Sequence, residues 1–410
     1  MKNQRTAIEN LKKMDRVYSE SLKLHRRLKG KLEITSKIRI ENIGGLSLAY
    51  TPGVAQVSRE IAKDKGKAYS YTIKGNTVAV VSDGSAVLGL GNIGPEGALP
   101  VMEGKSILFK ELAGIDAFPI CLHTQDVDEI VDCVKKIEPV FGGINLEDIS
   151  SPRCFLIEEK LKEALNIPVF HDDQHGTAVI VFAALLNALK LTERKLSEIK
   201  AVINGAGAAG IAIAKFLFNA GVKDILICDR NGILYKGRKE NMNSAKEEIA
   251  SLTNPRSLKG SLKDALNSRN LFIGVSAPNC LSKNMIKTME KEPIIFAMAN
   301  PVPEIMPEEA KKVGVRIIGT GRSDLPNQIN NVLGFPGIFR GALDIKAREI
   351  NESMKMAASY AIASLVPENK LHEDYFIPTP FDRRIVPVVA SEVARVAIET
   401  KVARDVNREL

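Results

Sequence analysis

The stretch AVINGAGAAGIAIAKFLFNAGVKDILICD, residues 201–229, decides how this chain is read. Ala201–Asn204 are a short apolar run of strand character, GAGAAG follows at 205–210, and IAIAKFLFNAG continues at helical period. DILICD, at 224–229, is a second strand, so the whole makes a βαβ unit. Gly205 permits the tight strand-to-helix turn, Gly207 lets a pyrophosphate approach the backbone, and Gly210 lets helix and strand pack closely. Together with Ala206, Ala208 and Ala209 they form the expected cofactor-binding turn. Asp229 lies 19 residues beyond Gly210, where a carboxylate accepts hydrogen bonds from an adenosine ribose. The expected cofactor is NAD, because a 2′-phosphate would face that carboxylate; NADP is possible through Arg230, Lys236 and Arg238.

A second glycine pattern, GLGNIG at 89–94, tests this reasoning. Pro95 follows at once and Pro100 soon after, so no long helix is expected to start there. The segment reads as a substrate-side or structural loop. Downstream, NLFIGVSAP at 270–278 and PIIFAMANP at 293–301 resemble the later strands of a dinucleotide fold, and Asn300 sits at such a strand end. Upstream, TVAVVSD at 77–83, IDAFPICL at 115–122 and IPVF at 167–170 alternate with helical stretches. That alternation predicts an α/β fold with mainly parallel strands. The expected organisation is an N-terminal α/β catalytic domain over 1–173, a Rossmann-like dinucleotide-binding domain over 174–333, and a C-terminal helical segment over 334–410 packing back on both.

Composition excludes several classes. The 410 residues are 45% hydrophobic and 26% charged, ordinary for a globular protein, and no apolar run reaches the ~18 residues that cross a bilayer. The net charge of +8 invites a nucleic-acid reading, but residues 1–40 hold 12 basic and 4 acidic side chains, the entire surplus. The other 370 residues are balanced, so the charge belongs to an arm. Ile8, Leu11, Met14, Tyr18 and Leu22 give that arm an amphipathic helix over 6–28. Its acids argue against a transit peptide, and no signal-type apolar block appears. Five cysteines, odd in number and without metal spacing, are expected to be buried, reduced thiols of a cytoplasmic protein. Neither a nucleic acid nor a membrane is an expected partner.

Two acid pairs follow apolar runs: Glu147-Asp148 after VFGGIN and Asp172-Asp173 after IPVFH. Hard divalent cations want several oxygen ligands, and Mg(II) or Mn(II) keeps positions open for substrate. Two pairs from neighbouring strand ends could supply three ligands with one carboxylate over. His171 and His175 are spaced i, i+4, but Gly176 and the order HDDQH argue against zinc.

In the motifs LAYTPGVA, VMEGKSILFK, NLEDI, FHDDQHGTA, GAGAAG, AMANP, NNVLGFPGIFRGALD and IPTPFD, in this order, the chain resembles the malic enzymes of the short bacterial and archaeal type. The resemblance implies oxidative decarboxylation of L-malate to pyruvate and carbon dioxide, with NAD or NADP and Mg(II) or Mn(II), in a homodimer or higher oligomer. It implies Tyr50 as general acid, Lys105 as general base and Asp172 as the carboxylate partnering that base. It further implies Glu147, Asp148 and Asp173 as metal ligands. Asn300 and Asn331 would contact substrate and nicotinamide, with Asn330 at the cofactor. For Lys105 to act as base it must become neutral, which requires its pKa to be lowered from ~10.4. Large eukaryotic members pair a substrate carboxylate with an arginine that is missing from Gly84–Gly89 here. Ser85 or backbone amides of the 89–94 loop are the expected substitutes. Malolactic conversion to lactate is the alternative chemistry, and a non-enzymatic, nucleic-acid-binding arm the remote one.

Overall fold

A computed structural model describes residues 2–87 and 90–404, with side chains from residue 15 onward. Ile8, Leu11, Met14 and Gly89, which carried expectations above, lie outside the described side chains. Two sheets organise the chain. The first holds β1 (Thr77–Ser82), β2 (Asp116–Cys121), β3 (Gly143–Leu146) and β4 (Val169–His171), all parallel, in the order β2-β1-β3-β4. The second holds β5 (Lys200–Asn204), β6 (Asp224–Asp229), β7 (Gly232–Ile233), β8 (Leu271–Gly274), β9 (Ile294–Ala297) and β10 (Ile317–Thr320). Its order is β10-β9-β8-β5-β6-β7, parallel except for β7.

In each sheet the chain leaves a central strand to one side and returns on the other. The reversals fall between β1 and β3 and between β5 and β8, where open α/β sheets bind their ligands beyond the strand ends. The turn after β5 has the geometry its glycines demand. Gly205 adopts φ +126°, and a Cβ on Gly210 would lie 1.7 Å from the Gly205 carbonyl oxygen.

The expectation at 94–100 fails: a 20-residue helix, Gly94–Ala113, starts where Pro95 and Pro100 were read as blocking one. Pro95 occupies the first turn, where a missing N–H costs nothing. Pro100 removes one helical bond, and burial of Ala98, Met102, Lys105, Ser106 and Phe109 offsets that cost. This helix serves the first sheet, packing against β1 and β2.

One core joins the sheets. Val78 and Val80 of β1, Ile203 of β5 and most of helix Thr177–Leu191 belong to it, with Phe335, Phe339 and Val389 from the C-terminal helices. The 177–191 helix has the length and apolarity of a membrane span only when the preceding turn is included, and 11 of its own 15 residues are buried inside this core. Phe109 meets Phe335 at 4.7 Å and Phe339 at 5.3 Å, both edge-on, so helix Phe335–Asp344 fills the space beside the first sheet. The C-terminal segment is therefore part of the scaffold that holds both sheets. Of the five cysteines, Cys154 and Cys228 are buried and the others half-buried, all free.

The N-terminal arm is a helix, Lys2–Leu28, followed by irregular chain. Tyr18 and Leu22, read as part of a covered stripe, are 53% and 73% exposed. Among the described residues, nothing buries these two side chains.

Candidate active site

The crevice between the sheets opens into a cavity of about 880 Å³. Lys105, Glu147, Asp148, Asp173, Asn300, Asn330 and Asn331 line it, and it reaches the dinucleotide turn at Ala209 and the β8 end at Val275 and Ser276. Asp172 stands behind this wall, fully buried, and its Oδ2 accepts from Lys105 Nζ at 2.6 Å and from Asn331 Nδ2 at 2.5 Å. Tyr50 does not join them. It lies on the arm, 64% exposed, away from the cavity.

Backbone conformation explains why two consecutive acids face one site. Side chains alternate along an extended strand, so Glu147 and Asp148 would ordinarily diverge. Asp148 instead takes φ +53°, a left-handed turn that Asp tolerates better than most residues, and its amide donates to Asp173 Oδ2 at 2.8 Å. Oxygens of Glu147, Asp148 and Asp173 then lie within 4.8 Å of one another. An all-carboxylate set suits a hard divalent cation such as Mg(II) or Mn(II).

Lys105 Nζ bridges the two acid pairs, 2.9 Å from Glu147 Oε1 and 2.6 Å from Asp172 Oδ2. Burial by itself would lower its pKa, but Asp172 and Glu147 outweigh that and raise it. Between these two carboxylates alone the ammonium form is favoured. Burial drives the Glu147 carboxyl well above its ordinary range; Lys105 opposes the shift, while Asp173, Asp172 and Asp148 add to it. The Asp172 carboxyl is also raised, by burial first, against the pull of Lys105.

His175 is no zinc ligand in this arrangement. Its Nε2 meets Glu158 Oε1 at 2.8 Å, and its Nδ1 meets Lys355 Nζ at 3.0 Å. Lys355 can only donate, so a neutral ring with its proton on Nε2 satisfies both partners. Burial pushes this imidazole down to about 4, in keeping with that form. Glu158 also accepts the His171 amide, tying helix Arg153–Ala164 to the turn that carries Asp172 and Asp173. Nothing in the sequence marked Glu158 or Lys355, because their spacing reads as exposed helix faces. Glu304, in the irregular chain after Pro301, reads instead as a solvated loop acid. It is fully buried and accepts from the amides of Ser276 and Ala299, joining the loops after β8 and β9.

Two further expectations change. The Ser85 hydroxyl donates to Asp83 at 2.5 Å and accepts the Ser150 amide, so it is not available to a substrate carboxylate. Asp229 does end β6 beside the dinucleotide turn, but its carboxylate is already saturated. Asn231 N, both terminal nitrogens of Arg238, Asn241 Nδ2 and Lys246 Nζ all donate to it. A carboxylate offers about four lone-pair sites, which leaves none for a ribose hydroxyl without a displacement.

The chain is 61% identical over 385 residues to the bifunctional malic/malolactic enzyme of Bacillus subtilis (strain 168), covering 94% of each. It is 60% identical over 378 residues to the NAD-dependent malic enzyme of Geobacillus stearothermophilus, covering 92% of this chain and 79% of that one. The crystal structure of the NAD-dependent malic enzyme from Thermotoga maritima superposes with a TM-score of 0.88 at 53% identity, covering 91% of this chain and 98% of that one. Fold and cavity thus define an NAD(P)-linked oxidoreductase. The chain belongs to the malic enzyme family, whose N-terminal domain model matches residues 29–162 and whose NAD binding domain model matches residues 174–398.

Proposed function

We propose that this chain oxidatively decarboxylates L-malate to pyruvate and carbon dioxide, reducing NAD or NADP, with Mg(II) or Mn(II) held by Glu147, Asp148 and Asp173. The supporting observation is that this carboxylate trio, Lys105 and Asn300 line one cavity that also reaches the dinucleotide turn. A divalent cation there would offset the carboxylate charge and polarise the substrate's 2-hydroxyl and the ketone formed from it. With that charge offset, Lys105 would lose the part of the pull that comes from Glu147, while Asp172 stays beside it as its proton partner. Lys105 can then take the hydroxyl proton as hydride leaves carbon 2 for the nicotinamide. Asp172 and Asn331 hold the lysine side of the cavity in register. Tyr50 fits the final step, protonation of carbon 3 of the enolate of pyruvate.

The decisive assay supplies L-malate and Mn(II) with NAD or NADP in turn, following reduced cofactor and pyruvate. No turnover with either cofactor overturns the reading. The name of the Bacillus subtilis relative favours testing one further product. Lactate without net cofactor reduction would point to malolactic chemistry instead.

Cofactor choice follows from Asp229. Its charge is offset by Arg238 and Lys246, so a 2′-phosphate would meet no free carboxylate there. NAD and NADP are both accepted in this reading, and the ratio of kcat/KM for the two measures the preference.

Tyr50 requires a second copy of the chain. Ile34, Ile43 and Leu48, in the segment that leads to Tyr50, are more than 80% exposed, large apolar side chains left open in one segment as an interface would leave them. A homodimer covers it and orders the tyrosine loop. A cytoplasmic location suits the five free thiols, and cell fractionation checks it.

A further inference from the structure

We infer that Lys31, sent into the cavity by the basic N-terminal arm, pairs with the malate carboxylate that does not sit on the metal. This rests on the malate reading above. Charge balance creates the need. The acids Glu147, Asp148, Asp172 and Asp173 face the single ammonium of Lys105, and a divalent cation still leaves the site one unit negative. Malate brings two more negative charges, and the arginine that large relatives use is missing. Some other cation must face the substrate.

Lys31 is placed to do so. It lines the same cavity as Lys105, against helix Gly94–Ala113 at Pro100 and Gly104, which share one helix face. Its Nζ donates to the Pro100 carbonyl at 2.7 Å, leaving two of the three ammonium protons for a ligand. Lys31 and Lys105 thus bring two ammonium groups, from separate elements, to the wall of the one cavity that would take the dianion.

The approach is built. Gly30 turns the chain with φ +105°, and the Lys31 amide donates to Glu103 Oε2 at 3.1 Å, anchoring the turn on the helix. Glu103 thus spends that oxygen on backbone. A Cβ at Gly104 would sit 3.8 Å from Lys31 Nζ, so the ammonium lies against a bare helix face. The other imidazole or cation lining the cavity, His25, turns its Nδ1 to the Ser21 carbonyl at 2.8 Å. Of the substitutes expected from the sequence, Ser85 is already consumed by Asp83 and Ser150, and among the described residues of the 89–94 loop none lines the cavity.

The test compares wild type, Lys31→Met and Lys31→Arg as full-length enzyme with Mn(II). Steady-state kinetics give the malate KM, and calorimetry without dinucleotide gives malate and oxalate binding. Oxalate's two carboxylates are directly bonded, so a cation held by Glu147, Asp148 and Asp173 would take both and leave none for Lys31. Lys31→Met should raise the malate KM and Kd roughly tenfold to a hundredfold, with a smaller change in kcat and with oxalate binding within about twofold. Lys31→Arg should recover most of the loss. A malate KM within about twofold of wild type in Lys31→Met overturns the assignment, as does equal weakening of malate and oxalate. Wild type that neither binds nor turns over malate would instead sink the malate reading itself.

Discussion

At Asp229, five donors converge on one carboxylate, and its neighbours Arg238 and Lys246 are themselves buried. Burial would raise its pKa, but hydrogen bonds from Arg238 and Lys246 outweigh that and bring it to about 2. A folded-state pKa below the unfolded value stabilises the fold above about pH 4, and that contribution is lost as pH falls toward 2. After discounting for solvent screening it is worth about 1–2 kcal/mol. Urea unfolding of Asp229→Asn should therefore show a deficit near neutral pH that narrows from pH 4 downward; a constant deficit would contradict the pairing. Proton transfer is the other residue-scale matter. Lys105→Ala and Tyr50→Phe should each reduce malate turnover roughly 10²–10⁴-fold. Near-full turnover by either variant removes that residue from the mechanism.

Among the elements, the loops after β8 and β9 depend on one side chain. Glu304 accepts an amide from each, and a Cβ on Gly274 would fall 2.3 Å from its carboxyl carbon, so strand and glutamate fit only as they are. Glu304→Ala leaves two amide N–H groups without acceptors, at a cost of about 2–4 kcal/mol. Because Ser276 and Ala299 line the cavity, the variant should show a lowered Tm together with a KM for the dinucleotide raised more than that for malate. An unchanged dinucleotide KM would mean that these loops do not shape the cofactor site. The helix at Gly94–Ala113 teaches a related lesson: Pro95 and Pro100 argue locally against it, and packing of Met102 and Phe109 against the core overrides them.

Across the whole molecule, the basic arm and the segment that follows it to Tyr50 carry a run of exposed large apolar side chains, Ile34, Ile43 and Leu48 among them. On the homodimer proposed above, replacing Ile43 and Leu48 together by glutamate should yield a monomer in sedimentation and abolish activity while leaving far-UV circular dichroism nearly unchanged. A dimer that survives both changes would place the interface elsewhere. The βαβ unit at 201–229 and the paired acids were legible in the sequence, because a tight turn, a pyrophosphate approach and an oxygen-rich ligand set each demand particular residue types at short spacing. The sequence by itself therefore determined the α/β class, the dinucleotide turn and the family. Only the tertiary structure decided that Glu147, Asp148 and Asp173 converge, that Lys105 is held charged between Glu147 and Asp172, that Asp229 is spent on Arg238 and Lys246, and that Lys31 reaches the cavity. Those contacts join residues from separate elements, some of them more than 60 positions apart. Local pattern carries no information about which distant charges will meet, and electrostatics acts on distance in space.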